Sequence, residues 1–338
     1  MHLLPPTARL LNSIWSYRQK RSPIGDILKY GSQQEQGRDY WDTYTPLTSW
    51  STIRLALLIS TIMNLKSRQV DYTQVFPQAP LSDPIFMCIP QGWFVDANGE
   101  LKPHDDPRYQ DRTHFIRLCK NLYGCKQAAR NWFKYLTTGL LGHGFVQSKT
   151  DPCLFLRHDV LMVVYTDESL IFANDDPTID TLLTALHQTY KLEDQGTVND
   201  YLGIRITKNP DDKSITMVQT GLIESILMDL NLPTGSKTKD TPAMGILYPD
   251  LSGPPRQESW NYRSVIGELN FPAQQTRPDI TYAVHQCAKY SANPTALHEQ
   301  AVKHIGHYLL VTKDQGIILH PEKTFKLDMY VDVDFAGT

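Results

Sequence analysis

The chain has 338 residues, enough for two modest domains or one large multi-lobed one, and its 41% hydrophobic and 20% charged residues are typical of a folded globular protein. The longest apolar stretch, residues 55–63, is interrupted by Ser60 and Thr61 and falls far short of the ~18 residues that span a membrane. The N-terminus lacks the basic start and small-residue cleavage site of a secretory signal. We therefore expect no membrane association and no secretion.

Cysteine usage and charge narrow the setting further. The five cysteines stand at irregular spacings without a C-x-x-C pair, which favours reduced thiols in an intracellular protein over a zinc site. The net charge of −3 is low for a nucleic-acid enzyme, because phosphate contacts need Lys and Arg. Polymerases often confine their positive charge to one cleft, so this total does not exclude nucleic-acid binding.

Hydrophobic periodicity predicts alternating helices and strands after residue 47, and no internal repeat is present. In chain order we predict a helix over 51–64, a strand over 68–73, an irregular insertion or hairpin over 77–107, a strand over 115–118 and a helix over 128–141.

The clearest local signal is a pair of apolar runs separated by a short polar break. A β-rich run over residues 160–165 is followed, after the break, by a second run over 170–173. The break contains Asp167 and Glu168, so the pattern predicts a hairpin with carboxylates at its tip. Farther along we predict a helix from Asp176, a polar linker over 233–260, two or three helices within 262–310 and a strand over 325–331.

Acidic residues are the candidate catalytic and metal-binding groups. Asp71 lies within an apolar strand, and Asp167 and Glu168 lie at the hairpin tip. A half-buried Asp is costly unless it is paired or binds metal, and a divalent ion offsets the repulsion among adjacent carboxylates. Two alternatives are a merely solvated acidic turn on a surface hairpin and an unrelated metal hydrolase.

Several segments, in order along the chain, resemble those of copia-type retrotransposon reverse transcriptases. They are residues 69–76 (QVDYTQVF), 122–132 (LYGCKQAARNW), 165–168 (YTDE), 201–204 (YLGI), 262–270 (YRSVIGELN), 276–280 (TRPDI) and 330–337 (YVDVDFAG).

The resemblance implies an α+β fold shaped as a right hand, with fingers, an antiparallel palm sheet and a thumb, then a connection region and a truncated ribonuclease H start. The implied domains are a fingers remnant at 1–50, fingers and palm with the primer grip at 51–232, a linker at 233–260, thumb and connection helices at 261–322, and the ribonuclease H start at 323–338.

The resemblance also assigns the catalytic site. Asp71 and Asp167 would ligate Mg²⁺ (or Mn²⁺), with Glu168 as the third catalytic acid. Glu168 stands where the family has an aspartate, and its extra methylene displaces the carboxylate by about 1.5 Å, beyond the roughly 0.5 Å that a catalytic site tolerates. In the family, the first aspartate of this segment, here Asp167, contributes most of the metal ligation. We therefore expect reduced rather than lost activity.

The resemblance also implies which residues contact the nucleotide and the template. Phe76 would stack under the sugar and exclude a 2′-hydroxyl, while Gly124, Lys126 and Gln127 would shape the floor of the site. Lys126 is alternatively a solvated lysine at a helix end. Three aromatic residues are expected to pack in the palm core rather than stack on bases, and these are Tyr123, Trp132 and Phe133.

Lys191 resembles a family lysine near the triphosphate, although a salt bridge to Glu193 or Asp194 is the simpler interpretation. Two further departures from the family concern the fold. About half a dozen residues of a fingers strand are missing after residue 30, and Pro272 occupies a helical position at a cost of ~3 kcal/mol. With the sequence ending at residue 338, Asp332 cannot complete a ribonuclease H site, so we expect no such activity.

These features predict an RNA-directed DNA polymerase that transfers nucleotides to a primer 3′-hydroxyl by a two-metal mechanism, impaired in this copy. Its partners would be an RNA or DNA template with primer, deoxynucleoside triphosphates and other Pol and Gag products, in a cytoplasmic particle or the nucleus. The alternative is a catalytically dead relict, or a nucleic-acid-binding module that uses the old cleft.

Overall fold

The computed structural model describes residues 10–11, 34, 41–232, 235, 237–250, 252–256, 259–321 and 328, with the backbone alone at 10–11 and 82–84. The expectations for the fingers strand after residue 30, the strand over 325–331, and Asp332 lie outside the described residues. The described residues form two compact units, one within 1–56 and 65–197 and the other within 57–64 and 198–338. This division differs from the predicted bounds at 232/233 and 260/261, which remain a prediction.

The first unit combines helices with mainly antiparallel sheets. Its elements are β1 (Leu10–Leu11), α1 (Trp50–Ile62, of which the last residues belong to the second unit), β2 (Lys66–Tyr72), α2 (Val75–Gln78), β3 (Pro80–Cys88), β4 (Trp93–Val95), β5 (Leu101–Pro103), β6 (Phe115–Lys120), α3 (Ala128–Gly142), β7 (Val146–Gln147), β8 (Leu154–Leu156), β9 (Val160–Tyr165), β10 (Glu168–Ala173), α4 (Asp176–His187) and β11 (Leu192–Gly196). In its sheets, only the β1–β3 pair among the described residues is parallel.

The main sheet of this unit has, among the described residues, the order β11-β2-β10-β9-β8-β7, with antiparallel pairing throughout. Alternate residues of its central strands, such as Val70, Tyr72 and Ile171, pack with Trp132 of α3 and Leu182 of α4 in one buried core. Because side chains alternate across a strand, residues of the other parity lie on the face away from these helices.

The predicted elements of this unit hold with boundary shifts of a few residues. Helix α1, strand β2, helix α3 and the β9–β10 hairpin all lie where the periodicity indicates. Two strands differ from expectation. The stretch 77–107, expected to be an irregular insertion or hairpin, contains the antiparallel β4–β5 hairpin but also β3, a nine-residue strand paired with β6. The polar run after Lys191, for which the sequence predicts no strand, forms β11 at the edge of the main sheet.

The second unit contains β12 (Asp200–Tyr201), β13 (Ile204–Lys208), β14 (Ile215–Val218), α5 (Thr220–Asp229), α6 (Tyr262–Gln275), a 3₁₀ turn (Pro278–Ile280), α7 (Thr281–Ala288), α8 (Ala296–Thr312) and β15 (Ile317–Leu319). Its strands pair antiparallel in the order β12-β13-β14-β15, and α5 to α8 share a second core.

One expectation for this unit needs correction. The predicted linker over 233–260 is not merely a polar tether, because Leu247 and Trp260 are buried in the helical core. Within this stretch, burial alternates along the chain, because exposed Ile246 and Tyr248 flank buried Leu247. The polar average composition of the stretch does not reveal this alternation. Pro272 occupies a position inside a helix, as expected, since α6 continues past it to Gln275 with the proline buried. No helix in the described part of the chain is both long enough and apolar enough to cross a membrane.

Candidate active site

Strand register places the first candidate aspartate beside the hairpin acid. Asp71 of β2 lies directly opposite Glu168 of β10. The flanking residues Val70 and Tyr72 point into the helix-covered core, so Asp71 must point to the opposite face. Directly opposed residues have their Cβ atoms about 4.5–5.5 Å apart and project from the same face. The two carboxylates are therefore neighbours, and both side chains are half-buried.

The turn that carries Asp167 is held from two sides. The backbone N–H of Tyr72 donates to the carbonyl oxygen of Asp167 at 2.7 Å, which ties the end of β2 to the tip of the β9–β10 hairpin. The indole Nε1–H of buried Trp132 donates to the carbonyl oxygen of Thr166 at 2.6 Å. Asp167 itself is exposed and lies in the turn rather than on a strand.

Thr166 adopts a strained backbone conformation next to this aspartate. Its φ of 53° lies in the left-handed region, which a β-branched residue rarely enters. Strain of this kind costs about 1–3 kcal/mol and persists where surrounding contacts enforce it, often at functional sites. Here the contacts from Trp132 and Tyr72 enforce it.

The acids act on one another electrostatically. Burial, followed by the charges of Asp167 and Asp71, raises the pKa of Glu168 above its ordinary value. Oε2 of Glu168 is buried and has no hydrogen-bond partner among the described residues. Burial and the same two aspartates also raise the pKa of Tyr123. Asp71, Asp167 and Glu168 thus share one region of negative potential with an orphaned oxygen inside it.

Phe76 and Tyr123 form an aromatic wall near these acids. Their ring centroids are 4.9 Å apart, and Phe76 is partly buried against the core. The burial predicted for Trp132 is confirmed, since it is 1% exposed in the core. Tyr123 is only half-buried, and its pKa responds to the acids, so it lies closer to the site than a purely core residue would. The gate role of Phe76 stays a prediction.

The segment that precedes α3 contains the remaining predicted contacts. Gly124 has φ of 100°, a conformation open to glycine and strained for other residues. Gln127 is buried, and its Oε1 accepts a hydrogen bond from Nε2 of Gln34 at 3.1 Å. Oε1 of the same Gln34 accepts from the backbone N–H of Lys126 at 2.6 Å, while the Lys126 side chain is exposed. The roles of these residues in binding nucleotide or template stay predictions.

The donor set fits a hard divalent cation. No group of three or more His, Cys, Asp or Glu side chains in the described residues is close enough to hold a metal unaided. Mg²⁺ generally needs only one or two protein carboxylates, and water and substrate phosphates supply its other ligands. Asp71 and Asp167 offer carboxylate oxygens of this kind, and the buried Oε2 of Glu168 is an oxygen that a cation would satisfy.

Sequence reasoning missed Glu193, which lies opposite Asp71 on the other neighbouring strand, β11. In the sequence, the one indication of a strand here is that apolar Leu192 precedes polar Glu193. A single apolar residue is weak evidence for a strand. The expected salt bridge of Lys191 is not formed among the described residues. Its side chain is exposed, and Asp194 instead pairs with Arg68 at 2.8 Å.

Comparison with known proteins defines the class. Residues 4–245 match the family model described as reverse transcriptase (RNA-dependent DNA polymerase), and this match covers most of the chain. The chain therefore belongs to the reverse transcriptase family, as its motifs predict.

The curated relatives are retrotransposon polyproteins. The chain is 31% identical to the retrovirus-related Pol polyproteins from transposons RE2 and RE1 of Arabidopsis thaliana, over 98% and 99% of its length but only 22% and 23% of theirs. It is 26% identical to the Pol polyprotein from transposon TNT 1-94 of Nicotiana tabacum, over 99% of the chain and 26% of that protein. The chain thus spans about a quarter of the length of these relatives, and their names agree with the copia-type resemblance.

Among solved structures, the chain is similar to telomerase from Candida albicans in complex with a fragment of telomeric RNA. That likeness has a TM-score of 0.30 and 11% identity, over 77% of this chain and 51% of the telomerase chain. A similarity this weak carries no argument about fold or function.

Proposed function

We propose that the chain is the polymerase part of a copia-type retrotransposon Pol protein, an RNA-directed DNA polymerase of low activity. It would extend a primer on an RNA or DNA template with deoxynucleoside triphosphates. The observation that carries this proposal is the juxtaposition of Asp71 and Glu168 on adjacent strands, with Asp167 in the adjoining turn. Membership of the reverse transcriptase family supports it.

Each acid has a distinct part in the proposed site. Asp71 and Asp167 would hold Mg²⁺ (or Mn²⁺), which when bound activates the primer hydroxyl and stabilises the leaving pyrophosphate. Glu168 would modulate that binding through its charge and its longer side chain. Phe76, beside Tyr123, would contact the sugar and disfavour a 2′-hydroxyl. Gly124, Lys126 and Gln127 would form the floor against template and nucleotide.

The larger arrangement follows from this assignment. The main sheet of the first unit, with its carboxylates on one face, would be the palm, and the strands around β3 would belong to the fingers. The β12–β13 hairpin would be the primer grip, and α6 to α8 would supply thumb and connection. Other Pol and Gag products would be partners in a cytoplasmic particle or the nucleus.

Glu168 favours a second candidate function, a nucleic-acid-binding relict without catalysis. Its extra methylene shifts the carboxylate, and burial with like charges disfavours its ionised form when no metal is bound. A protein impaired in this way would still present its cleft to a primer and template. Binding without extension is the signature that separates this candidate from the polymerase.

The test is primer extension on an RNA template with the full chain and each metal in turn. We expect weak extension, stronger with Mn²⁺ than with Mg²⁺, because Mg²⁺ demands stricter octahedral geometry. Glu168→Asp should raise the rate, while Asp167→Asn should abolish extension. Asp105→Asn, a matched change at an exposed site, should have no effect.

Nucleic-acid affinity, measured by fluorescence anisotropy on the same samples, distinguishes the two candidates. Binding of primer–template by both wild type and Glu168→Asp, with no extension by either, would reject the polymerase proposal and support the relict. Strong Mg²⁺-driven extension by wild type would instead show that Glu168 is harmless.

A further inference from the structure

Strand β11 is fixed to the main sheet by an ion-pair cluster on the helix-covered face. Arg68 of β2 donates through Nη1 to Asp194 at 2.8 Å and through Nη2 to Asp176 at 2.8 Å, and Asp180 lies 3.4 Å away. The Arg68 side chain is only 18% exposed, so this cluster is partly shielded from solvent. It holds Asp194, and with it the register of β11, against β2 and α4.

This register leaves Glu193 only one orientation. Leu192, one residue earlier, is buried in the same core as Tyr72, its cross-strand partner. With Leu192 and Asp194 both directed to the helix-covered face, Glu193 must project from the opposite face. Its cross-strand partner there is Asp71.

Asp71 is therefore flanked by a glutamate on each neighbouring strand. Glu168 lies opposite it on β10, and Glu193 lies opposite it on β11. Each pair has a Cβ separation of about 4.5–5.5 Å. Glu193 is exposed, so its carboxylate can move toward a bound ion without the burial that constrains Glu168.

Building on the proposed function, we propose that Glu193 is a metal-binding determinant of this site, a further carboxylate that strengthens the hold on a divalent cation. Its unit charge lies one strand away from the principal ligand Asp71. At a charge separation of roughly 7 Å in a water-like medium, it would change the affinity for a doubly charged ion about three- to tenfold. The same charge would weaken binding of the negatively charged triphosphate.

The experiment titrates Mn²⁺ into the full chain without nucleotide or nucleic acid, and measures the free ion by electron paramagnetic resonance. This readout does not require catalysis. We expect Glu193→Gln to weaken the strongest Mn²⁺ site about three- to tenfold. Asp71→Asn should weaken it more. The matched control Glu100→Gln, at a side chain 68% exposed on the β4–β5 hairpin, should leave it unchanged. Circular dichroism would verify that each variant is folded.

The outcomes separate the inference from the proposed function. If Asp71→Asn weakens Mn²⁺ binding and Glu193→Gln matches the control, only the role of Glu193 is rejected. If the wild-type chain binds no Mn²⁺, or if Asp71→Asn has no effect, the metal site and the role of Glu193 are both rejected. Selective weakening by Glu193→Gln, at unchanged fold, supports the inference.

Discussion

Replacing Glu168 by glutamine should stabilise the metal-free protein at neutral pH, because the amide keeps nearly the same shape without the charge. Burial and the charges of Asp167 and Asp71 raise the pKa of Glu168 in the folded chain above its unfolded value. Well below the unfolded pKa of about 4.3, Glu168 is protonated in both the folded and the unfolded chain. Its destabilising effect is therefore absent there. It grows as pH rises through that value and becomes constant above the folded pKa.

The size of the effect follows from the register of β10 and β2. Carboxylates on directly opposed residues lie about 5 Å apart, and two unit charges at that distance repel by ~1 kcal/mol in a water-like medium and ~3 kcal/mol at an effective dielectric constant of 20. Glu168 is half-buried, so solvent screening favours the lower figure. We expect about 1 kcal/mol, a rise in Tm of about 2–4 °C for a unit of this size.

The assay is thermal unfolding in the presence of a chelator, from about pH 4 to pH 8, with Glu100→Gln as the exposed control. The two compact units can unfold in separate transitions, and the expected shift belongs to the first unit. Adding Mn²⁺ should stabilise wild type more than Glu168→Gln, because a ligand of the native state adds its binding free energy. An equal or lower Tm for Glu168→Gln at pH 7.5 in chelator, or a gap that does not change with pH, would refute the reasoning.

Three further changes test the surroundings of the site. Trp132→Phe leaves the part-buried carbonyl of Thr166 without its donor, so we expect a loss of about 1–3 kcal/mol in unfolding free energy, together with weaker Mn²⁺ binding in the resonance titration. Burial opposes ionisation of Asp151, but hydrogen bonds led by that from Thr52 hold its pKa below the ordinary value. Asp151→Asn should therefore lower Tm at pH 7, and the difference from wild type should shrink as pH falls through the folded pKa. Phe76→Ala, made together with Glu168→Asp so that extension is measurable, should raise incorporation of ribonucleotides relative to deoxynucleotides in single-nucleotide assays. An unchanged ratio would remove the gate role.

The sequence could predict the elements whose local pattern and tertiary role agree. Strands β9 and β10 are rich in apolar residues, and Trp132 falls on the apolar face of its helix, so periodicity identifies them. Strand β11 has only one apolar residue in five, Leu192. It is a strand because it pairs with β2 and because Arg68 holds Asp194, and such contacts between distant segments override weak local propensity.

The same limit applies to the chemistry of the site. The exchange of aspartate for Glu168 is visible in the sequence and predicts a displaced carboxylate. Its electrostatic cost depends on which residues lie opposite it, and only the pairing of β10 with β2 brings Asp71 there. The pairing of β11 with β2 then brings Glu193 to the other side of Asp71. The mutual repulsion of carboxylates collected on one face opposes folding, so bound metal should stabilise the fold as well as support the proposed chemistry.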